Sequence, residues 1–541
     1  MNVADQITEV AKLFPHKRSV VATDGKDRFG NYRYVHYTFE QLESKINQFS
    51  NALVDVGVKK GDKALLFVKP CLDFSALVFA LFKVGAVPVL IDPGMGRKPF
   101  LRALESCGPR IMIGIPKAHV LRRLFPKVFK SVEIYLNYGN KSFLGAKSIL
   151  ALSSNKSQSF ESVEVEANEL GAILFTSGGT GRPKGVEYTH DIFISQTKAL
   201  KEEFKLTEED VDCPGFPLFA MFTLSMGMTS CIPDMDPSRP SEACPKSLEK
   251  IIKDQSVTFA AGSPAIWKNL GEYCVSEKIL LPTLRSLVMF GAPISIELHE
   301  LFSKALPNGD TFTPYGATES LPVANAMGSA VLERKEQIRS GKGVYLGRAL
   351  SSVDVKVIAD VEEAIESISD IKELPNNEIG EFLVKSRTTT KGYYQMPEKT
   401  KLAKVYDGES VWHRMGDVGH KDEDGNLWFL GRKAHKIVHE EKSHYSISIE
   451  SIFNQHPEVE KSALISKEVP SIAIQRKDAS ISLTKAQANL FLNELLEIGK
   501  KYGHTKDFEQ FYLCSKFPVD VRHNIKIDRK RLCETKLERL R

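Results

Sequence analysis

The sequence has no Cys-x-x-Cys pair and no long uninterrupted apolar run. Its eight cysteines are scattered over 541 residues, which argues against a zinc site and against a disulfide framework. The longest apolar stretch, residues 74–91, is interrupted by Lys83, Gly85 and Pro88. Such a pattern is typical of a buried helix that runs into a strand. We therefore predict no transmembrane segment.

The sequence also lacks a recognisable targeting leader and a large net charge. The first residues lack the basic, apolar and small-residue succession of a signal peptide, and Asp5 and Glu9 argue against a transit peptide. We therefore predict a cytoplasmic protein. The net charge of +5 equals the excess in residues 522–541, which carry eight basic and three acidic side chains without aromatic residues. A solvated C-terminal helix explains this tail, and we predict no nucleic-acid partner.

The length and the hydrophobic pattern predict an α/β protein of more than one domain. Helical and strand patterns alternate in a large N-terminal body, as in βα units that build parallel sheets. From about residue 345 to 430 the sequence is strand-rich and predicts a small β subdomain. We place the end of the body at residue 431 and assign residues 432–541 to a small α+β C-terminal domain. Helices are expected over 39–53 and 74–83, with strands over 63–68 and 87–91.

A loop rich in glycine and hydroxyl side chains follows the apolar run that ends at Phe175. It reads Thr-Ser-Gly-Gly-Thr-Gly-Arg-Pro-Lys-Gly over residues 176–185. Its glycines leave backbone N–H groups open to an anion, and Lys184 adds a point charge, so the loop suits a nucleotide triphosphate. Pro183 stands where a Walker A loop has its second glycine, which excludes a P-loop NTPase. Alone, such a cluster is usually a plain turn.

Four further motifs follow the loop in a fixed order. They are Tyr315-Gly316-Ala317-Thr318-Glu319, Trp412-His413-Arg414-Met415-Gly416-Asp417, Gly431-Arg432 and Lys526-Ile527-Asp528-Arg529. In that order, and at those separations, the set resembles the signature of the adenylate-forming superfamily of acyl-CoA synthetases, luciferases and peptide-synthetase adenylation domains. The resemblance implies an N-terminal adenylation body, a mobile C-terminal lid and the use of ATP and Mg²⁺.

The resemblance also implies roles for individual residues. Glu319 is expected to bind Mg²⁺, Thr318 to contact the α-phosphate, and Lys526 to bridge the carboxylate and the α-phosphate as charge develops. Asp417 and Arg432 are expected at the ribose. The expected triphosphate ligands are Thr176, Ser177, Gly178, Gly179, Thr180, Gly181 and Lys184. The residues expected around adenine are Gly291, Ala292, Pro293, Pro314, Tyr315 and Gly316.

Several departures from the general superfamily pattern point to a narrower group. After Gly431-Arg432 the chain has Lys433-Ala434-His435-Lys436, where an Asp pair is usual, and residues 440–445 lack the usual glycine. These departures argue against a CoA-using second half-reaction. Together with the runs 87–96, 114–119 and 522–524, they resemble the β-lactone synthetases of bacterial long-chain olefin biosynthesis, over nearly the entire chain.

This narrower resemblance implies a long-chain 2-alkyl-3-hydroxy fatty acid as the small-molecule substrate and a β-lactone, AMP and pyrophosphate as products. Enzymes of the same lipid pathway are candidate partners. Residues 216–228 fit either an alkyl-chain lining or a core helix, and His435 and His523 are candidate bases for the 3-hydroxyl. Two alternatives remain: a fatty acyl-CoA or acyl-carrier ligase, and a catalytically reduced scaffold.

Overall fold

The computed structural model describes residues 1–91, 95–176, 183–478, 483–519 and 527–540. Two sheets with mainly parallel strands form the N-terminal body, as predicted. The eight-stranded sheet has the order Ser320–Met327, Asp310–Ala317, Ser286–Met289, Phe259–Gly262, Val211–Pro214, Thr229–Cys231, Arg18–Lys26, Tyr32–Thr38. The seven-stranded sheet has the order Lys147–Ser148, Ile134–Asn137, Ile111–Gly114, Lys63–Phe67, Val87–Ile91, Leu170–Thr176, Lys184–Thr189.

Helices cover both sheets, since parallel strands must be joined by crossovers. The described helices of the body and the β subdomain are Val3–Leu13, Phe39–Asp55, Leu72–Lys83, Arg97–Cys107, Pro116–Leu124, Ile149–Ser153, His190–Glu203, Ala220–Ser225, Pro245–Asp254, Pro264–Ser276, Ile296–Ala305, Gly328–Glu333, Lys335–Arg339 and Pro397–Ala403. Short 3₁₀ turns lie at Pro217–Phe219, Pro240–Glu242, Ile368–Asp370 and Lys433–His435. The predicted helices and strands between residues 39 and 91 are confirmed within two residues at each end.

An antiparallel sheet forms the β subdomain of the body, and short turns join its strands Lys404–Asp407, Ser410–Lys421 and Asn426–Arg432. Its path is Val344–Arg348, Asn426–Arg432, Ser410–Lys421, Gly380–Lys385 and Asp354–Ile358, with Lys404–Asp407 paired to Ser410–Lys421. The C-terminal part contains the hairpin Ile437–His439 and Lys442–His444 and a sheet of Val459–Ser466, Pro470–Arg476, Phe511–Leu513 and Glu538–Arg539. The described helices there are Ser446–Phe453, Lys485–Lys500 and Arg529–Glu534. The predicted α/β class with a smaller C-terminal domain is confirmed.

Most of the cysteines and the longest apolar stretch contribute to the hydrophobic core. All eight cysteines are free, and five of them are buried in hydrophobic clusters or beside them. Residues 74–91 comprise most of the buried helix Leu72–Lys83 and the strand Val87–Ile91, as the interruptions in that apolar run predict. Among the described residues, no helix has the length and apolar character needed to cross a bilayer.

A buried ion pair stabilises the β subdomain. Arg414 and Glu381 lie on neighbouring strands, both side chains are at most 5% exposed, and the guanidinium donates to Glu381 Oε2 at 2.7 and 3.2 Å. Arg414 also donates to the carbonyl oxygen of Glu363 at 2.7 Å. Losing one partner of such a pair leaves a buried charge without compensation, which costs far more than losing an exposed pair.

We expect Glu381→Ala to lower the free energy of unfolding by about 3–5 kcal/mol, because the Arg414 guanidinium stays buried without its counter-charge. Urea denaturation measures the change. The matched control is Glu373→Ala, which removes an exposed carboxylate paired with Lys356 on the same sheet and should cost at most about 1 kcal/mol. If the two substitutions lowered the free energy of unfolding equally, the stabilising role of the buried Arg414–Glu381 pair would be contradicted.

Candidate functional site

One large cleft, of about 3020 Å³, lies where the two sheets of the body meet the β subdomain and the C-terminal part. Residues that follow the strands Lys63–Phe67, Val211–Pro214 and Ser286–Met289 line it. The cleft therefore opens at the carboxyl ends of parallel strands in both sheets, which is the usual place for ligands in open α/β sheets. Among the described residues, no group of three or more His, Cys, Asp or Glu side chains could hold a metal ion by itself.

Asp417 and Arg432 meet inside this cleft because they are opposite each other on two paired strands. The Asp417 carboxylate is 3% exposed, and its Oδ1 lies 3.0 Å from Arg432 Nη1. Tyr315 Oη donates to Asp417 Oδ2 at 2.7 Å. Burial raises the pKa of Asp417, and Arg432 opposes that rise. Asp417 Oδ1 accepts no hydrogen bond from the described residues, so one buried acceptor remains available to a ligand.

Thr318 and Glu319 form the two-residue turn of a hairpin between the strands Asp310–Ala317 and Ser320–Met327. Three hydrogen bonds fix the backbone of this turn. Tyr188 Oη donates to the Thr318 carbonyl oxygen at 2.7 Å, and Thr390 donates to the Glu319 carbonyl oxygen from its N–H at 2.9 Å and its hydroxyl at 3.2 Å. A Cβ at Gly316 would lie 2.7 Å from the Ser320 carbonyl oxygen, so the hairpin requires glycine there.

The Glu319 carboxylate is held by Tyr393, whose hydroxyl donates to Oε1 at 2.7 Å. No described residue donates to Glu319 Oε2. Lys184 Nζ lies 4.7 Å from the centroid of the same Tyr393 ring. Burial lowers the pKa of Lys184, and Glu319 opposes the change. Lys184, a predicted ligand of the triphosphate, and Glu319, the predicted ligand of Mg²⁺, thus contact opposite parts of one tyrosine side chain.

Other predicted residues also line the cleft. They are Gly291, Ala292, Pro293, Pro314, Tyr315 and Gly316. Gly291 has φ +93°, which only glycine adopts readily. Thr176 ends its strand. Ser177, Gly178, Gly179, Thr180, Gly181 and Lys526 lie outside the described residues, and so does His523. Ile527 and Asp528, which directly follow Lys526, line the cleft.

Residues 216–228 divide between the two roles that the sequence left open. The first half, from Phe216 to Phe222, contributes most of its side chains to the cleft wall. Leu224, Met226 and Met228 are at most 5% exposed and belong to the hydrophobic core. His435 lines the cleft from the other side. Burial, with Arg529 and Arg432 nearby, lowers the pKa of His435 to about 4, so its ring is neutral at pH 7.

The sequence indicated no role for three residues in or beside this part of the cleft, Tyr393, His413 and Lys404, although His413 lies within a quoted motif. Tyr393 follows Gly392 in an unremarkable Gly-Tyr-Tyr turn, 74 residues from its carboxylate partner. His413 is buried, lines the cleft and has its pKa held well below 6.5 by burial and by Lys404. Lys404 is 1% exposed. A lysine is rarely buried, so no sequence signal marks Lys404, and a Gly-Tyr-Tyr turn by itself does not mark Tyr393 either.

The burial of Lys404 makes the stability of the ligand-free protein depend on pH. Its ammonium group has one described hydrogen-bond partner, Thr390 Oγ1 at 3.4 Å. Burial lowers the pKa of Lys404 to about 7, against an opposing effect of Glu319. An unfolded lysine titrates near 10.4. Between about pH 7 and pH 10 the unfolded chain therefore binds more protons, and the charged amine is a cost to folding that is largest below pH 7.

We expect Lys404→Met to raise the free energy of unfolding at about pH 7 and to lose that advantage as pH approaches about 10, because the wild-type amine is then neutral in both states. Urea denaturation at both pH values measures this. The control Lys399→Met changes an exposed neighbour and should alter neither value. If Lys404→Met raised the free energy of unfolding equally at both pH values, the lowered pKa of Lys404 would be contradicted.

The geometry agrees with what comparison with known proteins finds. Residues 7–394 match the family described as AMP-binding enzyme. The olefin beta-lactone synthetase of Xanthomonas campestris pv. campestris is 34% identical over 543 residues, covering 98% of this chain and 96% of that protein. The olefin beta-lactone synthetase of Stenotrophomonas maltophilia is also 34% identical, covering 98% and 97%.

Solved structures share the fold. The anthranilate CoA ligase AuaEII in complex with anthranoyl-AMP superposes with a TM-score of 0.80 at 20% identity, over 99% of this chain and 97% of that one. ATP-bound MatB from Rhodopseudomonas palustris gives 0.77 at 20% identity, over 99% of each chain. The chain belongs to the AMP-binding enzyme family and is an AMP-forming ligase that uses ATP.

Proposed function

We propose that this enzyme converts a long-chain 2-alkyl-3-hydroxy fatty acid into a β-lactone. ATP first activates the carboxylate as an acyl adenylate, and the 3-hydroxyl of the same molecule then closes the ring. The observation that carries the proposal is the 34% identity to two olefin beta-lactone synthetases over 98% of the chain, which includes the C-terminal part where the linker departs from the general superfamily pattern.

The nucleotide is assigned to the Asp417 side of the cleft. Asp417 Oδ1, buried and without a hydrogen bond from the described residues, suits a ribose hydroxyl, and Arg432 stands beside it. The small residues Gly291, Ala292 and Pro293 allow a flat base to approach the backbone, with the Tyr315 ring nearby. Burial of Asp417 strengthens a hydrogen bond to its carboxylate, because the surrounding dielectric is low.

The triphosphate is assigned to the Glu319 side. Lys184 supplies positive charge, and Thr176 to Gly181 supply hydroxyl and backbone donors by the resemblance already described. Mg²⁺ fits a single carboxylate completed by phosphate oxygens and water, and Glu319 Oε2 is the atom that would hold it. When bound, the ion neutralises charge on the leaving pyrophosphate. Thr318 is placed at the α-phosphate, and Lys526 at the charge that develops between carboxylate and phosphorus.

Two steps complete the proposed reaction. A carboxylate oxygen attacks the α-phosphorus, a new P–O bond forms, and pyrophosphate leaves. The 3-hydroxyl oxygen then attacks the acyl carbon, its proton passes to a base, and AMP leaves as the C–O bond to phosphate breaks. Holding nucleophile and carbonyl in one molecule lowers the entropic cost of closing the strained ring. His435 lines the cleft with a ring that is neutral at pH 7 and can accept this proton, and its pKa of about 4 makes it a weaker base than an ordinary histidine.

The linker after Arg432 supports a reaction without CoA. Lys433 Nζ lies 2.7 Å from Asp360 and 3.5 Å from Glu381, and Lys436 also pairs with Asp360. These contacts tie the start of the C-terminal domain to the β subdomain. A second half-reaction with an external thiol would require the site to admit another substrate, whereas ring closure does not.

We expect a β-lactone when the purified enzyme is incubated with ATP, Mg²⁺ and a 2-alkyl-3-hydroxy fatty acid, with or without CoA, because the nucleophile belongs to the substrate. NMR under mild conditions identifies the product. Lys526→Ala is the control and should yield neither lactone nor AMP. A thioester that forms only with CoA would overturn the proposal in favour of an acyl-CoA ligase.

A second experiment tests the Glu319 assignment. We expect Tyr393→Phe to reduce ATP–pyrophosphate exchange at low Mg²⁺ by roughly tenfold or more, since a hydrogen bond to a charged group contributes about 1.5–3 kcal/mol. Excess Mg²⁺ should restore part of the rate. Tyr394→Phe is the matched control, because its hydroxyl accepts from Lys63 at 2.7 Å and contacts neither Glu319 nor Lys184. Equal loss in both variants would refute a specific role for Tyr393.

A further inference from the structure

A strongly basic surface covers one face of the seven-stranded sheet. Residues 97–130 contain nine Lys or Arg side chains and a single acidic one, Glu105. Arg110 is neutralised by Asp62 and Glu133, and Arg122 is buried over the Tyr135 ring. The other seven cations are exposed, and none of them forms an ion pair with a described residue. We call this surface the basic face.

Two helices carry five of the seven cations of the basic face and lie on the same side of the sheet, and Lys127 and Lys130 follow the second helix. The helices Arg97–Cys107 and Pro116–Leu124 lie in two successive crossover connections between parallel strands. Both connections run toward the same edge of the sheet, and right-handed crossovers that run in one direction lie on one face. Both pack on one hydrophobic cluster. Their cations therefore point away from the protein together.

Aliphatic side chains project between these cations. Val120 is 44% exposed and Leu124 is 68% exposed, one turn apart on the second helix. On the inner side, Phe100, Ile115 and Leu121 line the cleft. An apolar wall thus leads from the basic face toward the site where the carboxylate reacts.

We propose that the basic face docks on an anionic lipid bilayer. Cations attract the headgroups, and exposed Val120 and Leu124 enter the boundary between headgroups and acyl chains, a combination that suits lipid better than a nucleic acid or an acidic protein. The proposal rests on the proposed function in one respect: a substrate with two long alkyl chains partitions into lipid and would enter along the wall of Phe100, Ile115 and Leu121. Docking itself requires no substrate.

Vesicle co-sedimentation without ATP or substrate tests the docking apart from the chemistry. We expect binding to phosphatidylcholine vesicles that contain phosphatidylglycerol, little binding to pure phosphatidylcholine, and weaker binding as ionic strength rises. Replacing Lys98, Arg123 and Lys127 together by Gln should lower the partition coefficient by about a hundredfold, since each cation contributes about fivefold. Equal binding to neutral and anionic vesicles would overturn the proposal.

Two controls separate the possible explanations. Lys201, Lys246 and Lys304 are exposed cations on helices outside the basic face, and their triple Gln variant should bind anionic vesicles as the wild type does. Leu124→Asn should weaken vesicle binding while leaving binding to double-stranded DNA unchanged. Binding to DNA that is tighter than binding to anionic vesicles would also overturn the proposal. ATP–pyrophosphate exchange should be retained in every one of these variants, which keeps a failure of docking distinguishable from a failure of the proposed chemistry.

Discussion

The side chain of Tyr393 is the contact on which the site depends, because it joins residues from both sheets of the body. Its hydroxyl holds Glu319 at the tip of a hairpin from the eight-stranded sheet. Its ring lies under Lys184, which begins an edge strand of the seven-stranded sheet. Its backbone bridges to Val186, and the next N–H donates to Gly185. The packing of the two sheets therefore sets the position of the Glu319 carboxylate relative to the Lys184 ammonium group.

Lys184 is partly buried and Lys404 is fully buried near this contact, and neither forms an ion pair with a described residue. Burial raises the pKa of Asp417 and lowers those of Lys184 and Lys404, and Arg432 remains 49% exposed beside Asp417. Such an arrangement costs folding free energy when no ligand is present. A polyanionic ligand would offset that cost, since it supplies the negative charge that Lys184 and Lys404 lack. This cost in folding free energy therefore arises where we propose that the nucleotide triphosphate binds.

Hydrophobic periodicity predicted the fold class, because it reports which face of each element is buried, and the resemblance of the ordered motifs to a known superfamily implied the site residues. Asp417, Arg432 and Glu319 were identified by their order along the chain, and the structure brings them to one cleft. Tyr393 and Lys404 escaped detection because their roles depend on contacts across 74 and more residues. The two halves of residues 216–228 could not be separated either, since a cleft wall and a core helix have the same apolar composition.

The linker after Arg432 has a backbone conformation and ion pairs that fit the proposed reaction. Glu440 and Glu441 have φ of +47° and +63° in the turn between two short strands, a conformation that favours glycine and costs about 1 kcal/mol or more for other residues. Lys433 and Lys436 meanwhile anchor the preceding segment to Asp360. A linker that must rotate between two half-reactions gains from glycine and from few anchors. This linker has the opposite properties, as expected where one bound substrate undergoes both steps in the same site.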